Sequence, residues 1–337
     1  MKTYSDFLVN DSPSFINYQS FTINCSVTIL VTSSLDDIIT PNAIALGNFD
    51  GLHRGHQRVI ESIFKLNNPD IYPTLVTFTP HPQEYFTGKK KQLLTPIPEK
   101  AELLEAMGVK QLILLPFDRE LATLSARAFV KEILVEKIQA KYISIGSDFR
   151  FGYQRQGNAQ KLQELTADNN IFVNITAEEK LDVNERFTKI SSSDIRKALE
   201  KGNVSLAQGM LGRKYNLKGK VVKGKQLGRT IGFPTANLDI DAQKFLPKKG
   251  VYKVIVNQNN IYHNQLLGVM NIGDRPTVDG KKTTVEVHIL NWEGDLYNKV
   301  LDVELLKFLR PEKKFNSLDE LKAQIAKDCE LSFNDGE

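Results

Sequence analysis

Residues Gly47 to His56, GNFDGLHRGH, compress three glycines, an acidic residue and two histidines spaced His-x-Gly-His into one short stretch. Before it, Ala43-Ile44-Ala45-Leu46 is an apolar run; after it, Val59, Ile60, Ile63 and Phe64 recur at helical spacing, so the stretch turns a strand into a helix. A glycine-rich turn that feeds a helix N-terminus gathers unpaired N–H groups at the positive end of the helix dipole, which favours phosphate. Gly47, Gly51 and Gly55 let the main chain approach such an anion, Asn48 and Asp50 share the turn, and His53 and His56 supply side-chain donors to a polyphosphate. A zinc site would also use paired histidines, but the chain has only five His and two Cys, and none neighbours this pair to complete a ligand set.

Outward from this motif, strand-like and helix-like patterns alternate. Tyr72 to Thr79 is β-rich, Glu99 to Met107 is helical and stops at Gly108, and Gln111 to Leu115 reads as a buried strand. Ala126 to Ile138 is helical and Tyr142 to Ile145 is again a strand. The alternation predicts a parallel, Rossmann-like sheet covered by helices, with ligands at the carboxyl ends of the strands, where the GNFDG turn falls. Upstream, Phe21 to Val31 is interrupted by Asn24, Ser26 and Thr28 and reads as a strand, neither a signal peptide nor a membrane span. From Ser191 the pattern changes to two short helices, Asp194 to Lys201 and Ser205 to Leu211, with Gly202 between them. Short β-rich stretches follow at Gly219 to Lys223, Val251 to Val256, Gln265 to Met270, Thr283 to Leu290 and Val300 to Phe308, the signature of a small β-barrel. Ser317-Leu318-Asp319-Glu320 is a capping box that opens a last helix through about Cys329.

A chain of 337 residues exceeds a typical single domain. The expected division is an N-terminal extension with a first strand over 1–40, an α/β domain over 41–190, a helical junction over 191–214 and a β-barrel domain over 215–337. Lys and Arg number 44 against 40 Asp and Glu, a net charge of +4, too small to argue for nucleic acid. The run Lys89-Lys90-Lys91 and the lysine pairs 248–249, 281–282 and 313–314 read as solvated loops. Cys25 and Cys329, far apart and without motifs, read as reduced thiols of a cytoplasmic protein.

A second constellation lies at Gly224, Gly228-Arg229 and Gly232-Phe233-Pro234-Thr235-Ala236-Asn237. Its hydroxyl and amide oxygens suit Mg²⁺ and its glycines suit a loop wrapped on nucleotide phosphates, although the same glycines would serve as barrel corners. Further on, Glu286 and His288 share one face of a strand opposite Val285, Val287 and Ile289. Glu286 is a general base if that face lines the barrel mouth and a surface charge if it faces solvent.

These blocks together resemble the bacterial bifunctional riboflavin kinase/FAD synthetase family. GNFDGLHRGHQ, TFTPHP (Thr77 to Pro82), GSDFRFG (Gly146 to Gly152), ISSSDIR (Ile190 to Arg196), GRTIGFPTAN (Gly228 to Asn237) and GVMNIGDRPT (Gly268 to Thr277) occur in the family's order. The resemblance implies an N-terminal FMN adenylyltransferase, transferring AMP from ATP to FMN, and a C-terminal barrel that phosphorylates riboflavin with ATP and Mg²⁺. It implies that Gly47, Asn48, Asp50, Gly51, Gly55, Ser192, Ser193 and Arg196 hold ATP phosphates around the catalytic His53 and His56, with Asp148 and His81 on the flavin side. In the kinase it implies phosphate contacts from Gly224, Gly228, Gly232, Thr235 and Asn237, metal binding by Thr235 and Asn237, and Glu286 as base. Riboflavin, FMN and ATP are the expected partners, FAD the product, and no nucleic acid, membrane or obligate protein partner is implied. Ser193 replaces the family's commoner Thr, Thr79 an acidic residue and Met270 an Ala. The alternative is a monofunctional nucleotidyltransferase with a flavin-binding regulatory barrel.

Overall fold

The computed structural model describes residues 29–183, 186–224, 227–258, 265–277 and 280–334. Its first half holds β1 (Leu30–Thr32), β2 (Asn42–Leu46), β3 (Tyr72–Thr79), β4 (Gln111–Pro116), β5 (Ala140–Gly146), a short pair β6 (Arg150–Phe151) and β7 (Gly157–Asn158), and β8 (Phe172–Thr176). Six of these form a parallel sheet in the order β1-β4-β3-β2-β5-β8. Of the strand expected over Phe21 to Val31, β1 takes up the last two residues, and everything before Ile29 lies outside the described residues. The chain runs from β2 to β3 and β4 on one side and crosses to β5 on the other, so the carboxyl end of β2 is the switch point at which such sheets open a crevice. GNFDGLHRGH leaves β2 at that end. All five residues of β2 are buried, as a strand covered on both faces requires. The expected α-helix over Ala126 to Ile138 is helical for Ala126–Ala128 and then widens to π geometry over Phe129–Lys137, with Phe129, Val130 and Leu134 buried. Over so short a run an apolar pattern does not separate the two helix types.

A hairpin of β9 (Lys180–Val183) and β10 (Arg186–Lys189) leads into helices Ser192–Glu200 and Val204–Leu211. Beyond them β11 (Asn216–Val222), β12 (Ala236–Ile240), β13 (Gly250–Gln258), β14 (Leu266–Thr277), β15 (Gly280–Ile289) and β16 (Val300–Arg310) close a barrel in the order β11-β12-β15-β14-β13-β16. β12 has no counterpart in the sequence pattern, because it begins inside GFPTAN. The last helix, Leu318–Asn334, outruns the expected end at Cys329. Its capping box is offset by one residue: Glu320 N–H donates to Ser317 Oγ, while the Glu320 carboxylate accepts from Asn316 N–H.

The barrel core is continuous with the two helices before it. Leu217, Tyr252, Met270, Val287, Leu301, Val303 and Leu305 belong to one buried cluster with Ile195, Ala198, Leu199, Ala207, Met210 and Leu211, and Leu94 of the first half joins it. Polar contacts tie the halves further. Leu93 N–H donates to Gln243 O at 2.6 Å and Phe245 N–H to Leu93 O at 2.8 Å. Lys244 pairs with Glu99 and donates to Leu94 O at 3.0 Å, and Lys218 pairs with Glu102 at 2.6 Å. Of the cysteines, Cys329 is a buried free thiol and Cys25 lies outside the described residues.

Candidate functional site

A cavity of about 1070 Å³ opens at the carboxyl end of β2. Gly47, Asn48, Asp50, His53, Gly55, His56, Ser192 and Ser193 line it, and so do His81 and Asp148. The turn that shapes it is tightly wound: Phe49 and Leu52 take positive φ of 48° and 43° and are buried, and Gly51 has φ of 90°. A Cβ on Gly51 would lie 2.9 Å from Leu94 Cδ1, so this position accepts only glycine without a shift of its neighbours.

His53 caps the helix Arg54–Glu61: its Nδ1 accepts the His56 N–H at 3.3 Å. That bond leaves the proton of the neutral ring on Nε2. The two rings stack with centroids 3.5 Å apart, and Phe49 meets His56 edge-on. Burial lowers the His53 pKa to about 4, against the pull of Asp50, and burial with the neighbouring His53 holds His56 well below the ordinary range. Both rings are therefore neutral near pH 7: they can donate hydrogen bonds to a phosphate but bring no charge to it. His56 Nδ1 is buried and has no hydrogen-bond partner among the described residues.

Four residues expected at the phosphates are engaged by protein partners, although Asp50 and Ser192 still line the cavity. The Asp50 carboxylate pairs with Arg196 and accepts Thr95 N–H at 3.3 Å. Arg196 also donates to Gln92 O at 3.0 Å and to Ser192 O at 3.3 Å, lies over the Phe245 ring, and does not line the cavity. Gly51 is likewise absent from the cavity wall; its carbonyl accepts from Arg213 at 2.9 Å. Within ISSSDIR, Ser191 caps the following helix, Ser192 Oγ donates to Asp50 O at 2.7 Å, and Ser193 is left at the cavity wall. Asp50, Ser192 and Arg196 thus clamp the Gly47 to His56 loop to the helix Ser192–Glu200.

Among the described residues, several cations at or behind the cavity escaped the sequence reading, Arg150 and Arg155 of its lining among them. Lys100 is buried and donates to Asn48 O at 3.1 Å; burial lowers its pKa to about 8, with Asp50 opposing the shift. Arg213 reaches the Gly51 and Thr95 oxygens. Lys189 bridges Asp148 at 3.5 Å and Glu178 at the cavity mouth. Lys91, unlike the exposed Lys89 and Lys90, is half-buried and lines the cavity, so the reading of that run as solvated holds for two of its three members. One wall is aromatic. Phe78 and Phe86 meet Phe117 edge-on, and Phe149 stacks on Phe151, a surface suited to a planar ring.

The second constellation lies on the barrel. Val285, Val287 and Ile289 are buried in its interior, which turns Glu286 and His288 to the outer face. That face is partly covered by the GFPT segment, and Glu286 is half-buried, neither in a barrel mouth nor fully in solvent. Asn237 on β12 and Asn271 on β14 flank Glu286 in register, and Thr235 Oγ1 lies 3.5 Å from its carboxylate. His288 Nδ1 meets Pro234 O at 2.8 Å, fixing the segment to β15. A Cβ on Gly224 would collide with the Asn237 amide, and one on Gly228 with Phe233 O, so both glycines are required by close approach. Gly232 has φ of 88° and open space around it, as a turn exposed to a ligand would.

Comparisons with known proteins match both halves. The family model described as "FAD synthetase" matches residues 36–194, and that described as "Riboflavin kinase" matches residues 211–334. The chain is 41% identical over 287 residues to the bifunctional riboflavin kinase/FMN adenylyltransferase of Escherichia coli (strain K12), covering 85% of this chain and 90% of that protein. Identity to the protein of the same name from Haemophilus influenzae is 38% over 294 residues, covering 86% and 92%. A crystal structure described as a macrolide-efflux protein from Streptococcus pneumoniae is 30% identical, with a TM-score of 0.80 over 91% of this chain and 99% of that one.

Proposed function

The chain belongs to the bifunctional riboflavin kinase/FMN adenylyltransferase family, and from that premise we propose how its residues divide the two reactions. The protein phosphorylates riboflavin with ATP to give FMN, and transfers AMP from ATP to FMN to give FAD and pyrophosphate. The observation that carries the division is the presence of two unlike donor sets: neutral histidines over a cavity with an aromatic wall, and a Thr-Asn-Glu cluster on the barrel.

In adenylyl transfer an oxygen of the FMN phosphate attacks the α-phosphorus of ATP while pyrophosphate leaves, so no protein nucleophile is needed. Positioning and charge stabilisation do the catalysis. His53 Nε2–H and the His56 ring donate to the triphosphate, with Asn48, Gly47, Gly55 and Ser193 shaping its cradle. Asp50, Gly51, Ser192 and Arg196 keep that cradle in place, and Asp148 and His81 lie toward the flavin. The aromatic wall takes the isoalloxazine ring.

In the kinase, the Glu286 carboxylate orients the 5′-hydroxyl of riboflavin and accepts its proton as phosphorus is attacked. The Thr235 hydroxyl beside a carboxylate and the Asn237 amide are hard oxygen donors that fit Mg²⁺. Bound with the nucleotide, the ion would supply charge neutralisation at the phosphates. Gly224, Gly228 and Gly232 let the segment close on them. The four-part division of the chain, at 1–40, 41–190, 191–214 and 215–337, and a cytoplasmic location belong to the same proposal. Among the described residues no helix is long and apolar enough to cross a membrane.

Incubating the purified protein with riboflavin, ATP and Mg²⁺ and separating the flavins by chromatography tests the assignment. FMN should appear first and FAD after it; FMN alone would remove the adenylyl half, and unchanged riboflavin would remove the kinase half.

A further inference from the structure

We propose that His81 and Lys91 form a phosphate site inside the adenylyl-transfer cavity, holding an oxygen of a substrate phosphate between them; the proposal rests on the adenylyl-transfer reading above. His81 Nδ1 accepts the Gln83 N–H at 3.1 Å, which leaves the proton of the neutral ring on Nε2. That Nε2 lies 3.2 Å from Lys91 Nζ. An ammonium group has three donors and no acceptor, so two donors converge with nothing between them to accept. An anion bound by both resolves the conflict, with the charge-assisted bond coming from the lysine.

The surroundings agree. Both residues line the same cavity as Asn48 and His53 on the phosphate-loop side and Phe78 and Phe86 on the aromatic side. Asp50, the nearby acid, pairs with Arg196 and accepts Thr95 N–H; its favourable pull on Lys91 is smaller than the opposing effects of burial and Arg196. Burial and Lys91 lower the His81 pKa to about 4, so the ring donates as a neutral group. Since His53 and His56 are neutral as well, and Arg54 between them lies against Glu179 and does not line the cavity, Lys91 supplies positive charge that the two histidines lack.

The phosphate is either that of FMN or one of the ATP chain, and steady-state FAD synthesis with each substrate varied separately distinguishes them. Lys91→Gln keeps an acceptor for Nε2–H but loses the charge, whereas Lys91→Arg keeps charge and donors. His81→Asn keeps a cap for Gln83 and shortens the second donor. We expect kcat/KM for FAD synthesis to fall on the order of ~10-fold or more in Lys91→Gln and His81→Asn, with partial recovery in Lys91→Arg. A rise of KM for FMN alone assigns the acceptor phosphate, and for ATP alone the nucleotide. The double variant should lose less than the product of the two single losses, because the two groups share one ligand. Riboflavin phosphorylation reports that each variant is folded. Parental activity in Lys91→Gln would overturn the site, since a lysine that merely accepted from His81 is replaced by the amide oxygen without loss. Titrations with FMN and pyrophosphate need no turnover: if the parental protein made no FAD, the reaction assignment would fall, while weaker binding by Lys91→Gln would still uphold the pair and unchanged binding would overturn it.

Discussion

Lys244→Met is the perturbation from which the link between the two halves can be measured. The Lys244 side chain is 1% exposed and Glu99, its partner, 10%. Burial drives the two pKa values toward the neutral forms, Lys244 down and Glu99 up, and each partner opposes the shift of the other. Methionine preserves the aliphatic stem beside Tyr215 but strands the Glu99 carboxylate. Removing one member of a buried pair costs about 3–5 kcal/mol. Loss of the bond to Leu94 O adds about 1 kcal/mol. The double variant Glu99→Gln/Lys244→Met removes both charges and should regain most of that loss, because the pair itself repays little beyond its own desolvation. Urea unfolding followed by circular dichroism gives the free energies. Glu99 precedes Lys100, which holds Asn48 O, so FAD synthesis by the single variant should fall further than riboflavin phosphorylation. A single variant within about 1 kcal/mol of the parent, or a double variant no better than the single, would refute the reasoning.

The remaining predictions concern the two sites and the junction. His56→Ala should remove FAD formation by on the order of ~10²-fold while FMN formation persists, and Glu286→Gln should do the reverse when FMN is supplied; chromatography of the flavins reads both. The His53 pKa is about 4 when folded against 6.5 as its ordinary value, so the unfolded chain binds the extra proton and stability falls as pH drops from about 6.5 to 4. This amounts to up to about 3 kcal/mol, and urea midpoints across that range should flatten in His53→Asn; parallel curves would contradict it. A fragment beginning at Ala207 discards the buried Ile195, Ala198, Leu199 and Val204, so it should lack cooperative unfolding, whereas a fragment beginning at Ile190 should fold and phosphorylate riboflavin.

The parts of the fold that were legible in the sequence are those whose burial produces a pattern. β2, β3, β4 and β5 are covered on both faces and read as apolar runs, and most barrel strands alternate strongly enough to announce themselves. β8 and β12 did not, for physical reasons. β8 is an edge strand whose Phe172 is 62% exposed, so its hydrophobic face is not confined to one side. β12 is short and begins inside GFPTAN, where the residues serve the site and the strand at once. The closure of the barrel was inferable only from strand spacing. Continuity of its core with helices Ser192–Glu200 and Val204–Leu211 depends on contacts between residues distant in sequence, which local patterns do not record.

The sites divide along the same line. Residues that must be glycine or must present a ring or a carboxylate on a turn are visible as motifs, and Gly47 to His56 brought its histidines to the cavity as the spacing required. What the two histidines do not supply is positive charge, and Arg54 between them lies against Glu179. With His53 and His56 neutral, the cationic side chains that line the cavity come from elsewhere: Lys91 from an otherwise ordinary lysine run, Arg150 and Arg155 from the segment after β5, and Lys189 from a hairpin. Lys100, which holds the loop from behind, sits on the helix Ile97–Ala106 beside Glu99, the residue that grips Lys244 of the barrel half. One turn of helix therefore supports the Gly47 to His56 loop on one side and the barrel half on the other, so the loop at the cavity is positioned in part by a contact with the barrel.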